Sequence, residues 1–194
     1  MRSVAETLLP AARAALTAAA GRAAGAPAGA ILIDGRAGSG KTTLAGQLAE
    51  RLDADLVHLD DLYPGWQGLA AASGQVAHPL LSEGRWQRYD WAREALAEWH
   101  RTDPDRPLIV EGCGSITRDS APLAALSVWV DAPESLRRER ALRRDGELFR
   151  PHWDSWAAQE TEHLSRHRPE LLSDLTVRVE RHRARLLSDD PGGS

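Results

Sequence analysis

The sequence predicts an α/β fold in three layers, in which helices cover both faces of a parallel five-stranded sheet. Short apolar runs alternate with helical patterns along the chain, and this alternation is typical of a parallel α/β sheet. The runs are continuously apolar, as expected for strands that helices cover on both sides. A glycine-rich segment follows the first run directly and leads into a helical pattern.

Five apolar runs are the predicted strands, at residues 30–33, 56–59, 108–110, 127–130 and 175–179. Four segments are predicted to be helices, at residues 41–52, 85–100, 133–144 and 153–167. The second of these helices is predicted from apolar residues that recur at helical spacing, namely Trp91, Ala95, Leu96 and Trp99.

The first 29 residues are rich in alanine, and we interpret them as a leading helix followed by linker residues 25–29. Pro10 and Arg13 interrupt the apolar stretch, which argues against a signal peptide; a transit peptide is the alternative on composition alone. We expect the folded domain to span residues 30–188 and residues 189–194 to form a disordered tail.

Length, charge and cysteine content limit the classes of function. A chain of 194 residues fits one domain with its own core, and a net charge of −4 argues against a general nucleic-acid binder. The single cysteine, Cys113, excludes an internal disulfide and a cysteine-rich zinc site. No apolar run approaches the roughly 20 residues that span a bilayer. We therefore expect a cytoplasmic monomer or homodimer that acts on a small molecule, without nucleic-acid or membrane partners.

One segment matches the P-loop pattern in full, between a predicted strand and a predicted helix: Gly35, Arg36, Ala37, Gly38, Ser39, Gly40, Lys41 and Thr42. Backbone N–H groups of such a loop surround phosphate oxygens, and the helix N-terminus adds its positive dipole end. We expect these residues and Thr43 to hold ATP, with Lys41 on the β- and γ-phosphates and the Thr42 hydroxyl on Mg²⁺. Lys41 is the only lysine among 24 basic residues. A glycine turn before a helix is the alternative interpretation.

Acidic residues follow two of the predicted strands. Asp60 and Asp61 come after the second strand, and Glu111 ends the third. In open α/β sheets the carboxyl ends of the strands form the ligand edge. A carboxylate at this edge can accept the proton of a substrate hydroxyl or hold a metal ion, and we predict Mg²⁺ ligands at Thr42, Asp60 and Glu111. An acidic turn that caps the next segment is the alternative.

The predicted helix at 133–144 carries five arginines within eight residues, at positions 137, 138, 140, 143 and 144. Guanidinium groups suit a phosphoryl group whose charge is spread over three oxygens. We predict that Arg137 contacts the nucleotide and that Arg140 and Arg144 act in catalysis. A solvated basic helix face is the alternative.

Polar and aromatic residues after the second predicted strand and in the second predicted helix are the candidate substrate contacts: Asp61, Tyr63, Trp66, Arg88 and Asp90. Trp66 lies in a glycine-rich stretch and could stack on a flat substrate. A GTPase would need a second lysine in its guanine-reading motif, and zinc catalysis would need His-Glu-x-x-His or paired cysteines. Neither pattern is present.

At these residues the chain resembles the uridine kinase-like branch of the P-loop small-molecule kinases, over residues 31–150. Asp60-Asp61-Leu62-Tyr63 resembles that branch's Asp-x-Phe-Tyr motif, and Glu111-Gly112 its strand-end Glu-Gly. The resemblance implies a P-loop kinase domain with strand order 2-3-1-4-5 and an arginine-rich lid. It also implies that Asp60 is the general base and that Glu111 helps to bind Mg²⁺.

We therefore expect an ATP-dependent phosphotransferase that acts on an alcohol group of a small molecule, with a nucleoside-like acceptor favoured. The alternative acceptors are a sugar, an acid, a nucleotide or an antibiotic. The alternative from another class is a switch or assembly factor that hydrolyses ATP slowly.

Overall fold

The structure, a computed structural model, describes residues 3–19, 27–181 and 183–187. The strands are β1 Ala30–Asp34, β2 Asp55–His58, β3 Arg85–Asp90, β4 Ala95–Arg101, β5 Leu108–Glu111, β6 Leu126–Asp131, β7 Leu175–Val179 and β8 Ala184–Leu187. The α-helices are α1 Val4–Ala19, α2 Lys41–Leu52, α3 Leu69–Gln75, α4 Glu134–Phe149, α5 Trp153–His167 and α6 Pro169–Leu172.

Six of these strands form one sheet in the order β2-β5-β1-β6-β7-β8. The first five are parallel, whereas β8 runs antiparallel to β7. The predicted order of the five parallel strands is confirmed, and β8 is an additional edge strand. This strand has only four residues, one of which is Arg185, so it does not give a clear apolar run. Because β1, β2 and β5 are parallel neighbours, the loops after them meet at one edge of the sheet.

Helices cover both faces of the sheet, which confirms the three-layer arrangement. On one face, Leu8 of α1 and Leu44 and Leu48 of α2 belong to the same core as Ile31 and Ile33 of β1. On the other face, the core includes Trp153 and Trp156 of α5 together with β5. The helix expected at the N-terminus is therefore present and packed. Linker residues 25 and 26 and the expected tail at 189–194 lie outside the described residues, and the division into domains stays a prediction.

The predicted helix at 85–100 is wrong. This segment is an antiparallel hairpin of β3 and β4, in which the Trp86 and His100 rings stack at 4.5 Å between centroids. The residues at helical spacing do not mark a buried face, because Leu96 and Trp99 are exposed. Side chains on β3 are buried or half-buried, and the Asp90 carboxylate accepts the N–H groups of Ala92 and Arg93 to close the turn.

The other three predicted helices are confirmed as α2, α4 and α5. The α4 helix extends past its predicted end to Phe149, across a kink at Gly146, where φ is +54°. A Cβ atom there would meet nothing within 4 Å, so this bend is open to solvent. None of the described helices has the length and apolar character needed to cross a bilayer.

Candidate active site

A phosphate-binding loop joins β1 to α2 across residues 35–40. Gly38 has a φ of +78° and lies directly against the backbone carbonyl of Arg137, so any side chain at this position would collide with α4. Gly40, with a φ of +102°, comes immediately before α2. Because the first turn of a helix leaves its N–H groups unpaired, the loop and helix together offer several backbone donors to one anionic group.

Two buried side chains hold this loop from behind. Glu160 on α5 accepts the Ala37 N–H at 2.6 Å and the Arg36 Nε–H at 2.9 Å. Arg137 on α4 donates to the backbone carbonyls of Ala37 at 3.3 Å and Ala132 at 3.1 Å. The Arg137 side chain therefore braces the loop, and it lines neither of the cavities described below.

Lys41 lies at the base of the loop and is almost completely buried. Burial alone would lower the pKa of Lys41, but the acidic groups that face it, the Cys113 thiol followed by the Glu111 and Asp60 carboxylates, outweigh that effect and raise it. The Nζ atom lies 3.4 Å from the Cys113 sulfur. Lys41 therefore stays an ammonium group, which is the form that binds phosphate oxygens.

Glu111 lies at the end of β5, between the phosphate loop and β2. Its Oε1 accepts the Thr42 hydroxyl at 3.0 Å and lies 2.6 Å from Nδ1 of His58. Burial opposes ionisation of this carboxyl, but the hydrogen bond from His58 and the charge of Lys41 outweigh it and lower the pKa of Glu111. Glu111 is therefore ionised.

The residues predicted to hold Mg²⁺ suit that ion. The second Glu111 oxygen, Oε2, is buried and has no hydrogen-bond partner, which leaves one anionic lone-pair site unused. The Thr42 hydroxyl lies beside the same carboxylate. Within residues 3–19, 27–181 and 183–187 no three His, Cys, Asp or Glu side chains cluster as a metal site. One or two carboxylates, a hydroxyl and substrate phosphates are the set that Mg²⁺ commonly takes.

The two neighbouring aspartates after β2 have different positions. Asp60 lines a cleft in front of the phosphate loop, whereas Asp61 is not among the lining residues. The surrounding protein withdraws solvent from the Asp60 carboxyl, which raises its pKa, although the Lys41 charge acts in the opposite direction. The side chain remains accessible to the cleft. The Trp91 indole donates to the Asp60 carbonyl at 2.9 Å and fixes this part of the chain.

Two cavities meet at the phosphate loop. One, of about 750 Å³, extends past Thr43 and Gln47 of α2 toward β7 and β8, and the other is the cleft of about 490 Å³ that contains Asp60. The residues shared by both linings are Gly38, Lys41, Thr42 and Arg144. A nucleotide in the larger cavity would therefore have its terminal phosphate at the entrance of the Asp60 cleft.

The arginines of α4 are not equivalent. Arg140, Arg143 and Arg144 line the larger cavity, and Arg144 also lines the Asp60 cleft. Arg138 is exposed and lines neither. The two arginines predicted to act in catalysis, Arg140 and Arg144, therefore line the cavity beside the phosphate loop, whereas their catalytic role and the arginine-rich lid stay predictions.

Two of the predicted substrate contacts, Tyr63 and Trp66, line the Asp60 cleft. Two others do not. The Arg88 guanidinium binds the Glu98 carboxylate across the hairpin at 2.7 and 3.1 Å, and Asp90 closes the hairpin turn.

Three residues near the site were not predicted from the sequence: His58, Cys113 and Glu160. His58 and Cys113 each lie within two residues of a predicted site position, so proximity was a usable signal. Glu160 lies 123 residues from Ala37 in the sequence, and a single acidic residue on an amphipathic helix carries no sign of such a contact.

The fold and the site together define a P-loop nucleotide-binding protein with the architecture of the small-molecule kinases. Residues 31–152 match the AAA domain family, and the chain belongs to that family. It is 27% identical over 143 residues to a cytidylate kinase of Methanococcoides burtonii, covering 71% of this chain and 75% of that protein.

Two solved structures share the fold. A possible uridine kinase from Bacillus stearothermophilus has a TM-score of 0.52 and 19% identity, over 86% of this chain and 98% of that chain. A candidate fructose transport system kinase from Silicibacter sp. TM1040 has a TM-score of 0.52 and 20% identity, over 91% and 99%. The resemblance to uridine kinase-like proteins is therefore confirmed for the fold.

Proposed function

We propose that this protein transfers the γ-phosphate of ATP to an alcohol group of a small, nucleoside-like molecule. The observation that carries the proposal is the meeting of two cavities at Lys41 and Thr42, with a carboxylate of raised pKa, Asp60, on the side away from the nucleotide. A protein that only hydrolyses ATP needs no second cleft of about 490 Å³ at the terminal phosphate.

Asp60 is the proposed general base. It accepts the proton of the acceptor hydroxyl as the oxygen attacks phosphorus and the bond from phosphorus to the β-γ bridging oxygen breaks. A raised pKa makes the carboxylate a stronger base than an aspartate in water. Lys41 and Arg144, which reach both cavities, neutralise charge on the transferring group and on the leaving diphosphate.

Thr42 and Glu111, with Asp60 nearby, would hold Mg²⁺. When bound, the ion supplies positive charge to the phosphate oxygens. Glu111 is kept in place for this by the Thr42 hydroxyl and by His58. The buried Oε2 of Glu111 is the atom that would gain a partner.

A second candidate acceptor is a nucleoside monophosphate, which the likeness to a cytidylate kinase favours. The test is ATP consumption by the purified protein with cytidine, uridine, cytidine monophosphate and simple sugars as acceptors. We expect a nucleoside-like alcohol to raise ADP formation well above the rate with ATP alone. Faster turnover only with the monophosphate would favour the second candidate. An unchanged rate with every acceptor would contradict both.

A further inference from the structure

Much of the Asp60 cleft is lined by aromatic and aliphatic side chains. The large ones are Tyr63, Trp66, Trp91, Leu148, Phe149 and Trp156. The charged members, Lys41, Asp60, Glu111 and Arg144, come from the loop, the two strand ends and α4. The cleft therefore combines charged groups with a wall of aromatic and aliphatic side chains.

The aromatic rings of this wall pack against one another. The Trp66 ring stacks on His152 at 4.3 Å and lies 5.5 Å from Phe149 at a small interplanar angle of 22°. Its edge meets Trp91 at 5.1 Å. The Tyr63 and Trp156 rings meet edge to face, with 4.8 Å between their centroids. Packed rings have little freedom to move, so this wall is formed before any ligand arrives.

Two of the polar atoms on these rings are already used within the protein. The Tyr63 hydroxyl donates to the Cys113 carbonyl at 2.9 Å, and the Trp91 indole donates to the Asp60 carbonyl at 2.9 Å. A ligand hydroxyl could bond to either group only by competing with an existing hydrogen bond. Arg88 and Asp90 are also committed elsewhere, to Glu98 and to the hairpin turn.

These contacts favour one kind of acceptor. A ring of low polarity gains free energy in proportion to the apolar surface that it buries against such a wall. A sugar or polyhydroxy acid would instead bury hydroxyl groups against apolar side chains that offer them no hydrogen bond, which is unfavourable. A volume of about 490 Å³ accommodates one or two fused rings with a short side arm.

We infer that the acceptor is an aromatic alcohol, in which a short arm carries the hydroxyl to Asp60 and a flat, weakly polar ring packs against Trp66, Phe149 and Trp156. The ring is recognised through its faces and not through hydrogen bonds to its edge. This inference rests on the proposed function, since it names the acceptor of the same cleft.

Binding and phosphoryl transfer are measured separately on the full-length protein. Binding of tryptophol, benzyl alcohol, uridine, glucose and gluconate is measured by calorimetry with Mg²⁺ and a non-hydrolysable ATP analogue present. Transfer from ATP to the same compounds is followed as phosphate ester by phosphorus NMR. We expect tryptophol and benzyl alcohol to bind and to be phosphorylated, and glucose and gluconate to do neither.

The other outcomes distinguish the inference about the acceptor from the proposed function. Transfer to uridine or to a sugar, with no binding of the aromatic alcohols, would overturn the inference and leave the proposed function standing. Uridine binding more than tenfold tighter than tryptophol would show that a polar edge is read, which also overturns the inference. Binding of the aromatic alcohols without transfer to them would overturn the inference, because the inference names the phosphate acceptor. The absence of transfer to all five compounds would also contradict the proposed function. If none of the five compounds binds, the inference is wrong.

Two variants of cleft residues and a matched control variant test where the aromatic ring of the acceptor binds. Trp66→Ala should weaken tryptophol binding at least tenfold, while Trp99→Ala, which removes a tryptophan 51% exposed on the hairpin and outside the cleft, should not change it. Leu148 lines the cleft but is 73% exposed, so Leu148→Asn should fold normally and weaken tryptophol binding about threefold. Affinity for the ATP analogue should stay unchanged in all three. Wild-type tryptophol affinity in both Trp66→Ala and Leu148→Asn would overturn the inference.

Discussion

Replacing Glu160 by alanine should remove the hydrogen bonds that hold the phosphate-binding loop in place, although Glu160 lines neither cavity. The side chain is only 3% exposed and accepts the Ala37 N–H and the Arg36 guanidinium. Leaving the buried Ala37 N–H without an acceptor costs about 1–3 kcal/mol. Arg36 is 30% exposed and can return to water, so its loss adds only about 0–1 kcal/mol. We therefore expect a loss of about 2 kcal/mol in the free energy of unfolding.

The assay combines urea denaturation with calorimetric titration of ADP. For a chain of this size, a loss of about 2 kcal/mol lowers the melting temperature by about 4–8 °C. ADP affinity should fall about tenfold, because binding must then order a loop that Glu160 no longer holds. Glu160→Gln keeps an oxygen that can accept the Ala37 N–H. It should therefore lose less than half as much stability and less than half as much ADP affinity as Glu160→Ala. Glu162→Ala, an exposed position on the same helix, is the control. Wild-type stability and ADP affinity in Glu160→Ala would refute the reasoning.

Four further predictions concern the site itself. Lys41→Ala should abolish turnover at saturating ATP while the protein stays folded; measurable turnover would contradict the role of the loop. Asp60→Asn should lower turnover by about 10²-fold or more with ATP affinity nearly unchanged, whereas Asp61→Asn should stay active; the reverse pattern in steady-state kinetics would move the base by one residue. Activity should fall as the pH drops through the raised pKa of Asp60, because the base must be unprotonated. The acid limb of the pH profile should therefore lie above the usual aspartate range. In Asp60→Asn this limb should shift or disappear. Arg140→Ala should lose kcat and kcat/KM together with little change in melting temperature, and Arg138→Ala should match wild type; equal activities would assign this helix face to solvent.

The sheet and the phosphate loop could be predicted from the sequence because their signals are local. The β1 and β5 strands are buried along their whole length and so appear as continuous apolar runs. The phosphate loop needs glycine at Gly38, where a side chain would meet α4, and lysine at Lys41. Each requirement fixes the residue type at a single position, so a short sequence motif is enough to predict the loop.

The hairpin of β3 and β4 and the contact of Glu160 with the phosphate loop could not be predicted in the same way. In β3 and β4 the apolar residues lie both on the buried face and in solvent, so their spacing imitated a helix. Leu96 and Trp99 belong to the exposed set. The contact of Glu160 with Ala37 depends on how α5 packs beside the phosphate loop, which no short window of sequence contains.

The most direct test of the central claim is the fate of the phosphate in wild-type protein. With ATP, Mg²⁺ and an alcohol acceptor present, phosphorus NMR separates a phosphate ester from inorganic phosphate, while a coupled assay measures ADP. The proposed function predicts that the acceptor accelerates ADP formation and that the phosphate appears as the ester. ADP formation at the same rate with and without acceptor, with inorganic phosphate as the only other product, would contradict it and would assign the protein to the ATP-hydrolysing switches.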